Sequence, residues 1–321
     1  MPDLAVVEGP YLQQVLDHSH PVWHDGLSRA GYERYYAAQV ATPWGRGHLQ
    51  RLALVEKGQV LASAKLYTFD AVLDGVPVRI AGIGALFTAP IHRGQGHAPA
   101  LVECLLQRAV ADGADLALLF SIVGGDYYRR LGFEMIATTD LSLRVIEDTR
   151  RGAPMTLVRA GEERDLADVV ALGRARAGRY RFHLDRDRDF VSYAIIKKRL
   201  LAGLSPAGGR ELQFFIAEEG ASAVAYVVVS VRGGAWVLEE CGDRDPDGAR
   251  VGAILQVLIA RDPSAVRPAI TAWLPAGFRP PQIEVLGGQP SPEIMMMRPL
   301  SRPLPPLSAP GDLFFWHGDM F

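Results

Sequence analysis

Cysteine is nearly absent from this 321-residue chain, which holds only Cys104 and Cys241. That excludes a disulfide framework and a thiolate zinc site. Long apolar runs are missing too: stretches such as Ala221–Val231 fall far short of the roughly 20 residues needed to span a bilayer. No charge of one sign dominates, since 34 Lys and Arg face 36 Asp and Glu, for a formal net charge of -2. A whole-chain basic field for nucleic acid is therefore lacking. Near the start, Met1-Pro2-Asp3-Leu4 puts an acid where a signal peptide carries bases. These absences predict a cytoplasmic protein with neither membrane nor nucleic acid as a partner.

What is present is ordinary globular material. Hydrophobic residues make up 49% and charged residues 22%, which excludes disorder as the dominant state. The 33 Gly and 22 Pro imply many turns, and the length suggests two domains. Cys104, among Leu101, Val102, Leu105 and Leu106, reads as a small core residue rather than a reactive thiol.

The two halves read alike. In the first, Leu49–Glu56 and Val60–Phe69 pair as a hairpin around Lys57-Gly58-Gln59, and Asp74-Gly75 marks a second tight turn. Val78–Thr88 is a third strand. Apolar residues at i, i+3 and i+4 predict a helix over 98–112, and Leu116–Phe120 a buried parallel strand after this crossover. Asp126 can cap a short helix at Tyr127–Leu131, and Phe133–Val145 returns as a final strand pair. After a junction at Arg150–Pro154 come helices at Glu163–Gly178 and Phe190–Leu204, a hairpin around Gly220, a strand at Trp236–Glu240 and a helix at Ala249–Ala260. The repeated pattern suggests duplication of one supersecondary unit. The run Asp185-Arg186-Asp187-Arg188-Asp189 alternates in sign and reads as a solvated surface. The segment from Arg302 ends in GDLFFWHGDMF, apolar enough to dock on the body.

The loop HRGQGHA, before the first crossover helix, carries the chemistry. Its small residues let backbone N–H groups turn toward one point, and the helix N-terminus adds unpaired donors and partial positive charge. Arg93 adds a formal charge, so the loop suits a pyrophosphate. The plain alternative is a Gly-rich turn without a ligand. The order around it is specific: apolar strand, R-x-x-G-x-A, amphipathic helix, buried strand, then YYRRLGF.

The pairing of ALFTAPIHRGQGHAPALVECLL with DYYRRLGFEM resembles the GCN5-related N-acetyltransferase (GNAT) superfamily over about 49–136. The tandem organisation is similar to Eis-type acetyltransferases, although those carry a third domain, and here only residues 301–321 follow Leu300. The resemblance implies an α/β (α+β) fold of two tandem GNAT-like units, each a mixed twisted sheet flanked by helices. The units would be a catalytic acetyl-CoA-binding domain at 1–150, a degenerate one at 155–300 and a docking tail at 301–321. It implies that acetyl-CoA is the cosubstrate, with no metal, and that the acceptor is a small-molecule amine; a homo-oligomer is compatible with it. The backbone near Gln95, Gly96, His97 and Ala98, with Arg93 and Gly94, would hold the pyrophosphate. Leu86, Phe87 and Thr88 would flank the pantetheine, and Ser121 would lie near the gap between splayed strands. CGDRDPDGAR, the corresponding loop of the second half, places Asp243, Asp245 and Asp247 where they would repel a pyrophosphate.

By the same resemblance Tyr128 is the general acid for the leaving thiolate, while Tyr127 reads as a core aromatic. The strand VRIAGIGALFT has no acid to serve as base. Eis-type enzymes use a C-terminal carboxylate, so Phe321 is a candidate, with Asp319 as the side-chain alternative. A tail that merely covers an apolar patch fits equally. Trp23, His24, Glu33 and Trp44 lie in the segment that shapes the acceptor site in the superfamily. The histidines between Asp17 and His24 read as solvated loop residues rather than metal ligands. The competing function is a non-catalytic acyl-CoA-binding sensor or partner-binding module, which has no need of an acid at Tyr128.

Overall fold

Two-residue turns set the first hairpins. Lys57 (φ 49) and Gly58 (φ 79), and again Asp74 (φ 51) and Gly75 (φ 77), take left-handed conformations that turn one strand directly into the next. In this computed structural model, residues 2–146, 157–262, 266–303, 305–307, 309 and 312–321 are described. The expected junction at Arg150–Pro154 lies outside them.

The chain begins with β1 (Asp3–Val6), α1 (Gly9–Trp23), α2 (Arg29–Ala41) and α3 (Pro43–His48). There follow β2 (Leu49–Glu56), β3 (Gln59–Leu73), β4 (Val76–Thr88), α4 (His97–Ala111), β5 (Leu116–Ser121), α5 (Asp126–Arg129), β6 (Glu134–Ile136) and β7 (Thr139–Val145). The next elements are β8 (Leu157–Ala160), α6 (Leu166–Ala177), β9 (Phe182–Leu184), α7 (Arg188–Leu204), β10 (Arg210–Glu219), β11 (Ser222–Arg232), β12 (Ala235–Asp243) and α8 (Ala249–Arg261). The described chain closes with β13 (Ile270–Ala272), β14 (Ile283–Pro290), β15 (Ile294–Pro299) and β16 (Leu313–Phe314).

The first sheet runs β1-β2-β3-β4-β5-β15-β6, with β9 against β3 and β16 against β9. Its strands are buried on both faces, and so they read as nearly continuous apolar runs. One face of β4 packs with α4 through Ala81, Ile83, Leu101 and Leu105, and the other meets Tyr67, Phe69 and the end of the chain. The expected crossover is present: β5 lies parallel to β4, with α4 between them in sequence. The second sheet runs β14-β7-β13-β12-β11-β10-β8 and packs on α8. These are two mixed sheets flanked by helices.

The structure departs from the sequence reading in four places. The histidines at 18 and 20, read as solvated loop residues, lie on α1 and are half-buried, His20 against the Leu27 carbonyl and the Tyr32 ring. The segment Phe133–Val145 is not one strand pair: β6 joins the first sheet, whereas β7 lies between β13 and β14 in the second. In exchange β15, with Met295, Met296 and Met297 fully buried, enters the first sheet between β5 and β6. Strand pattern reports which face is apolar but not which neighbour a strand will pair with. Asp126 does not cap α5; the N-cap is Gly125, and Asp126 pairs with Arg129 at 2.9 Å. The alternating run at 185–189 is not wholly solvated. Arg186 is buried, where it pairs with Glu240 and, at 3.2 Å, with Asp319.

The tail docks. Phe314, Phe315 and Trp316 are buried, and β16 pairs in parallel with β9. Asp319 accepts from the Trp316 N–H at 2.9 Å, closing the last turn.

Candidate active site

A cleft of about 500 Å³ opens where β4 and β5 part. The two strands pair only from Ile80 to Ile83 against Leu116 to Leu119. Beyond that point Phe87 and Thr88 stay with β3, while Phe120 and Ser121 pair with β15. A bulge in β4 accompanies the parting: between Ser63 and Lys65 of β3, β4 advances from Phe87 to Gly84, and Ala85 takes a positive φ of 48°.

At one end of the cleft stands the N-terminus of α4. Gly96, its N-cap, sits at φ 81° and supplies no side chain to the first-turn N–H groups. Those donors, and the positive end of the helix dipole, stay available to an anion. Gly94 is also left-handed, at φ 76°, and a Cβ at either glycine would meet nothing within 4 Å. The glycines thus serve conformation rather than packing. Arg93 is exposed, lies over the Phe87 ring at 5.9 Å and donates to the Thr88 carbonyl at 3.4 Å. Gln95 turns away: it donates to the Ile91 carbonyl at 3.2 Å, contacts the His97 ring at 3.3 Å and does not line the cleft.

The remaining expected residues gather here. Leu86, Phe87, Thr88, Arg93, Gly94, Gly96, His97, Ala98, Ser121 and Tyr128 all line the same cleft. The Ser121 hydroxyl is engaged within its own turn, donating to the Gly124 carbonyl at 2.7 Å. Tyr128 is buried with its ring edge-on to Phe133. Burial pushes its phenol from the ordinary 10 up to about 12, which makes it a weaker acid, still protonated at neutral pH. The Tyr127 hydroxyl is buried without a hydrogen-bond partner, and this ring also borders the cleft. From α1, Val22 and Trp23 form the facing wall. Trp44, by contrast, is core, stacked on His48; Glu33 pairs with Arg29; and His24 accepts from the Gly26 N–H.

Phe321 lies beside the cleft, not in its lining. Its ring packs on Tyr67, Phe69 and Phe120 at 4.7, 5.0 and 5.4 Å, and Phe120 is itself a cleft wall. Space for it comes from two glycines of β4. A Cβ at Gly82 would fall 2.7 Å from the ring, and one at Gly84 would fall 3.4 Å from the Phe321 main-chain oxygen. The end of the chain therefore sits one residue from the bulge at Ala85, across β4 from α4. Asp319, the alternative acid, is buried in the ion cluster with Arg186 and Glu240 and does not border the cleft.

The second unit answers the same geometry differently. Gly248 caps α8 at φ 77°, as Gly96 caps α4. The Asp243 carboxylate occupies this helix N-terminus, accepting from the Arg250 N–H at 2.8 Å and the Val251 N–H at 3.2 Å. The chain's own acid satisfies the donors that α4 leaves open.

Residues 8–136 match the family model of the acetyltransferase (GNAT) domain. No curated protein matches the chain. Solved structures do. A probable N-acyltransferase from Enterococcus faecalis V583 is similar over 94% of this chain and 73% of its own, at 16% identity and a TM-score of 0.68. A GCN5-related N-acetyltransferase from Kribbella flavida matches 94% of this chain and 72% of its own, at 21% identity and a TM-score of 0.69. For Eis1 from Mycobacterium abscessus the shares are 94% and 74%, at 16% identity and a TM-score of 0.54.

Proposed function

We propose that this acyltransferase, whose residues 8–136 match a GNAT acetyltransferase domain, moves an acetyl group from acetyl-CoA to a small-molecule amine by direct attack in a ternary complex. One observation carries the reading: an open path runs from the uncapped N-terminus of α4, through the parting of β4 and β5, to the bulge at Ala85 beside the chain's last residue. The first-turn amides of α4 and Arg93 suit a pyrophosphate, and the parted strands suit an extended arm. Acetyl-CoA supplies the acyl group as a thioester. Leu86, Phe87 and Thr88 flank the arm, and a backbone N–H near Phe87 or Thr88 polarises the carbonyl in the manner of an oxyanion hole. Tyr128, a phenol protonated at neutral pH, donates its proton to the departing sulfur. The Phe321 α-carboxylate takes the proton of the attacking amine.

In this reading the donor site belongs to the unit at 1–150. The unit at 155–300 binds no CoA, because Asp243 fills its helix N-terminus, and the tail at 301–321 brings Phe321 to the first unit. The test is thiol release from acetyl-CoA across a panel of primary amines, with calorimetry of CoA binding. One CoA per chain is expected, with Tyr128→Phe lowering kcat by about 10²-fold while CoA affinity holds. Two CoA per chain, or a Tyr128→Phe variant of undiminished kcat, would refute these assignments.

A further inference from the structure

A row of basic residues crosses the sheet beside the end of the chain. Arg51 of β2 pairs directly with Lys65 of β3, and Lys65 pairs with Gly84 of β4. Directly paired residues share a face, so both cations stand on the face where Phe321 lies over Gly84. Helix α2 walls the row: Tyr36 presents its ring to the Arg51 guanidinium at 5.1 Å and to the Lys65 Nζ at 5.9 Å. On the far side α7 adds Lys197, which donates to the Met320 carbonyl at 2.6 Å.

The cations are short of acids. Arg51 is 1% exposed, yet its Nε and Nη1 have no hydrogen-bond partner. Its Nη2 reaches only the Ser19 and Tyr32 hydroxyls, at 3.4 and 3.3 Å. Lys65 has no hydrogen-bond or ion-pair partner among the described residues. Nearby carboxylates are engaged elsewhere: Asp25 with Arg210, Glu239 with Lys198 and His317, and Asp319 with Arg186. Burial pushes both lysines down to about 7, helped by Arg51 and Lys197 at Lys65 and by Lys198 at Lys197. A buried guanidinium with two idle donors is costly unless an anion meets it. The single carboxylate of Phe321 does not answer three cations.

We propose that the row Arg51–Lys65, walled by Tyr36 and ending at Gly84, is the acceptor subsite and selects an amine that also bears a carboxylate. This rests on the transfer reading above, because the row ends one residue from the bulge where the acyl group would arrive. The carboxylate sits against Arg51 and Lys65, which leaves the amine to point along the row toward Ala85 and Phe321. Neighbouring strands are about 4.8 Å apart, a spacing that a short amino acid bridges.

The experiment is calorimetric titration of the full chain, with and without CoA. The probes are the N-acetyl derivatives of glycine, β-alanine and 4-aminobutyrate, each beside its carboxamide. At least one acid should bind about tenfold more tightly than its amide, since hydrogen bonds to charged groups distinguish the two. Lys65→Gln, at a half-buried position, should erase that ratio while CoA titrates as in the wild type, which also reports that the variant is folded. Equal binding of acid and amide, no binding of any acid, or a ratio that survives Lys65→Gln would overturn the inference. The parallel thiol-release assay, run with glycine, β-alanine and 4-aminobutyrate themselves beside their carboxamides, separates the two readings. Release without preference for the acids sinks this subsite alone, whereas acid binding without release sinks the transfer reading alone.

Discussion

Arg186→Met is the substitution that most directly tests what holds the tail. Arg186, 8% exposed, lies between Glu240 and Asp319, whose side chains are 2% and 1% exposed. One guanidinium therefore serves two buried carboxyls. Burial, opposed by Arg186, already pushes both carboxyls upward; Asp319 raises Glu240 further, and Glu239 raises both. Replacing Arg186 by a neutral side chain leaves two like charges in a dry site, with Lys197 the nearest compensation for Asp319. Breaking a buried pair in this way costs about 3–5 kcal/mol. At about 2–4 °C per kcal/mol, Tm falls by about 6–20 °C at neutral pH. The sign with pH follows from linkage. Without Arg186 the folded carboxyls bind protons more readily than the unfolded ones, so stability is recovered as pH falls toward their raised values. Urea unfolding at pH 7.5 and pH 5 measures both effects, and adding Glu240→Gln should restore part of the loss. The last turn carries Phe321, so kcat for thiol release should fall with the tail's anchorage. A loss below about 1 kcal/mol, or one that does not shrink at pH 5, would refute the view of this cluster as an electrostatic anchor.

Gly82→Ala puts a Cβ 2.6 Å from the Phe69 ring and 2.7 Å from that of Phe321, both rigid neighbours. It should cost about 1–3 kcal/mol in urea unfolding and shift the end of the chain. Lys197, held near 7 in the folded protein against an ordinary 10.5, makes the unfolded state bind more protons across that interval. Stability should therefore rise from about pH 7 to about pH 10.5, and Lys197→Met should reduce that rise in a pH series of thermal melts, with Lys65 supplying the remainder. Asp243→Ala orphans the first-turn amides of α8 and should cost about 2 kcal/mol in urea unfolding. CoA stoichiometry by calorimetry should remain one per chain, since Asp245 and Asp247 still oppose a pyrophosphate.

Much of the candidate site was legible because its signal is local. The loop at 92–98, the helix after it and the YYRRLGF segment are contiguous, and nine of ten expected donor residues line one cleft. Gln95 is the exception, because its side chain folds back onto Ile91, a choice that residue type does not reveal. Trp23 was legible as a wall, but Trp44 was not legible as core, since both are lone aromatics in the same helical region. The basic row was missed altogether. Arg51 and Lys65 are fourteen positions apart in a hairpin and look like ordinary surface charges. Their shared face depends on the β2–β3 register, and their isolation from acids depends on α2 and α7 closing over them.

The sequence by itself determined the local elements and their repetition. Period-two and period-3.6 patterns, paired turn residues and glycines before α4 and α8 suffice for that, because each acts within a few residues. Tertiary structure alone decided which strands meet. β7 and β15 change sheets, Arg186 is buried by acids from distant segments, and Phe321 reaches Gly82 and Gly84 of the first unit. These outcomes depend on surfaces meeting across long loops, where pairing is chosen by packing and buried charge rather than by pattern.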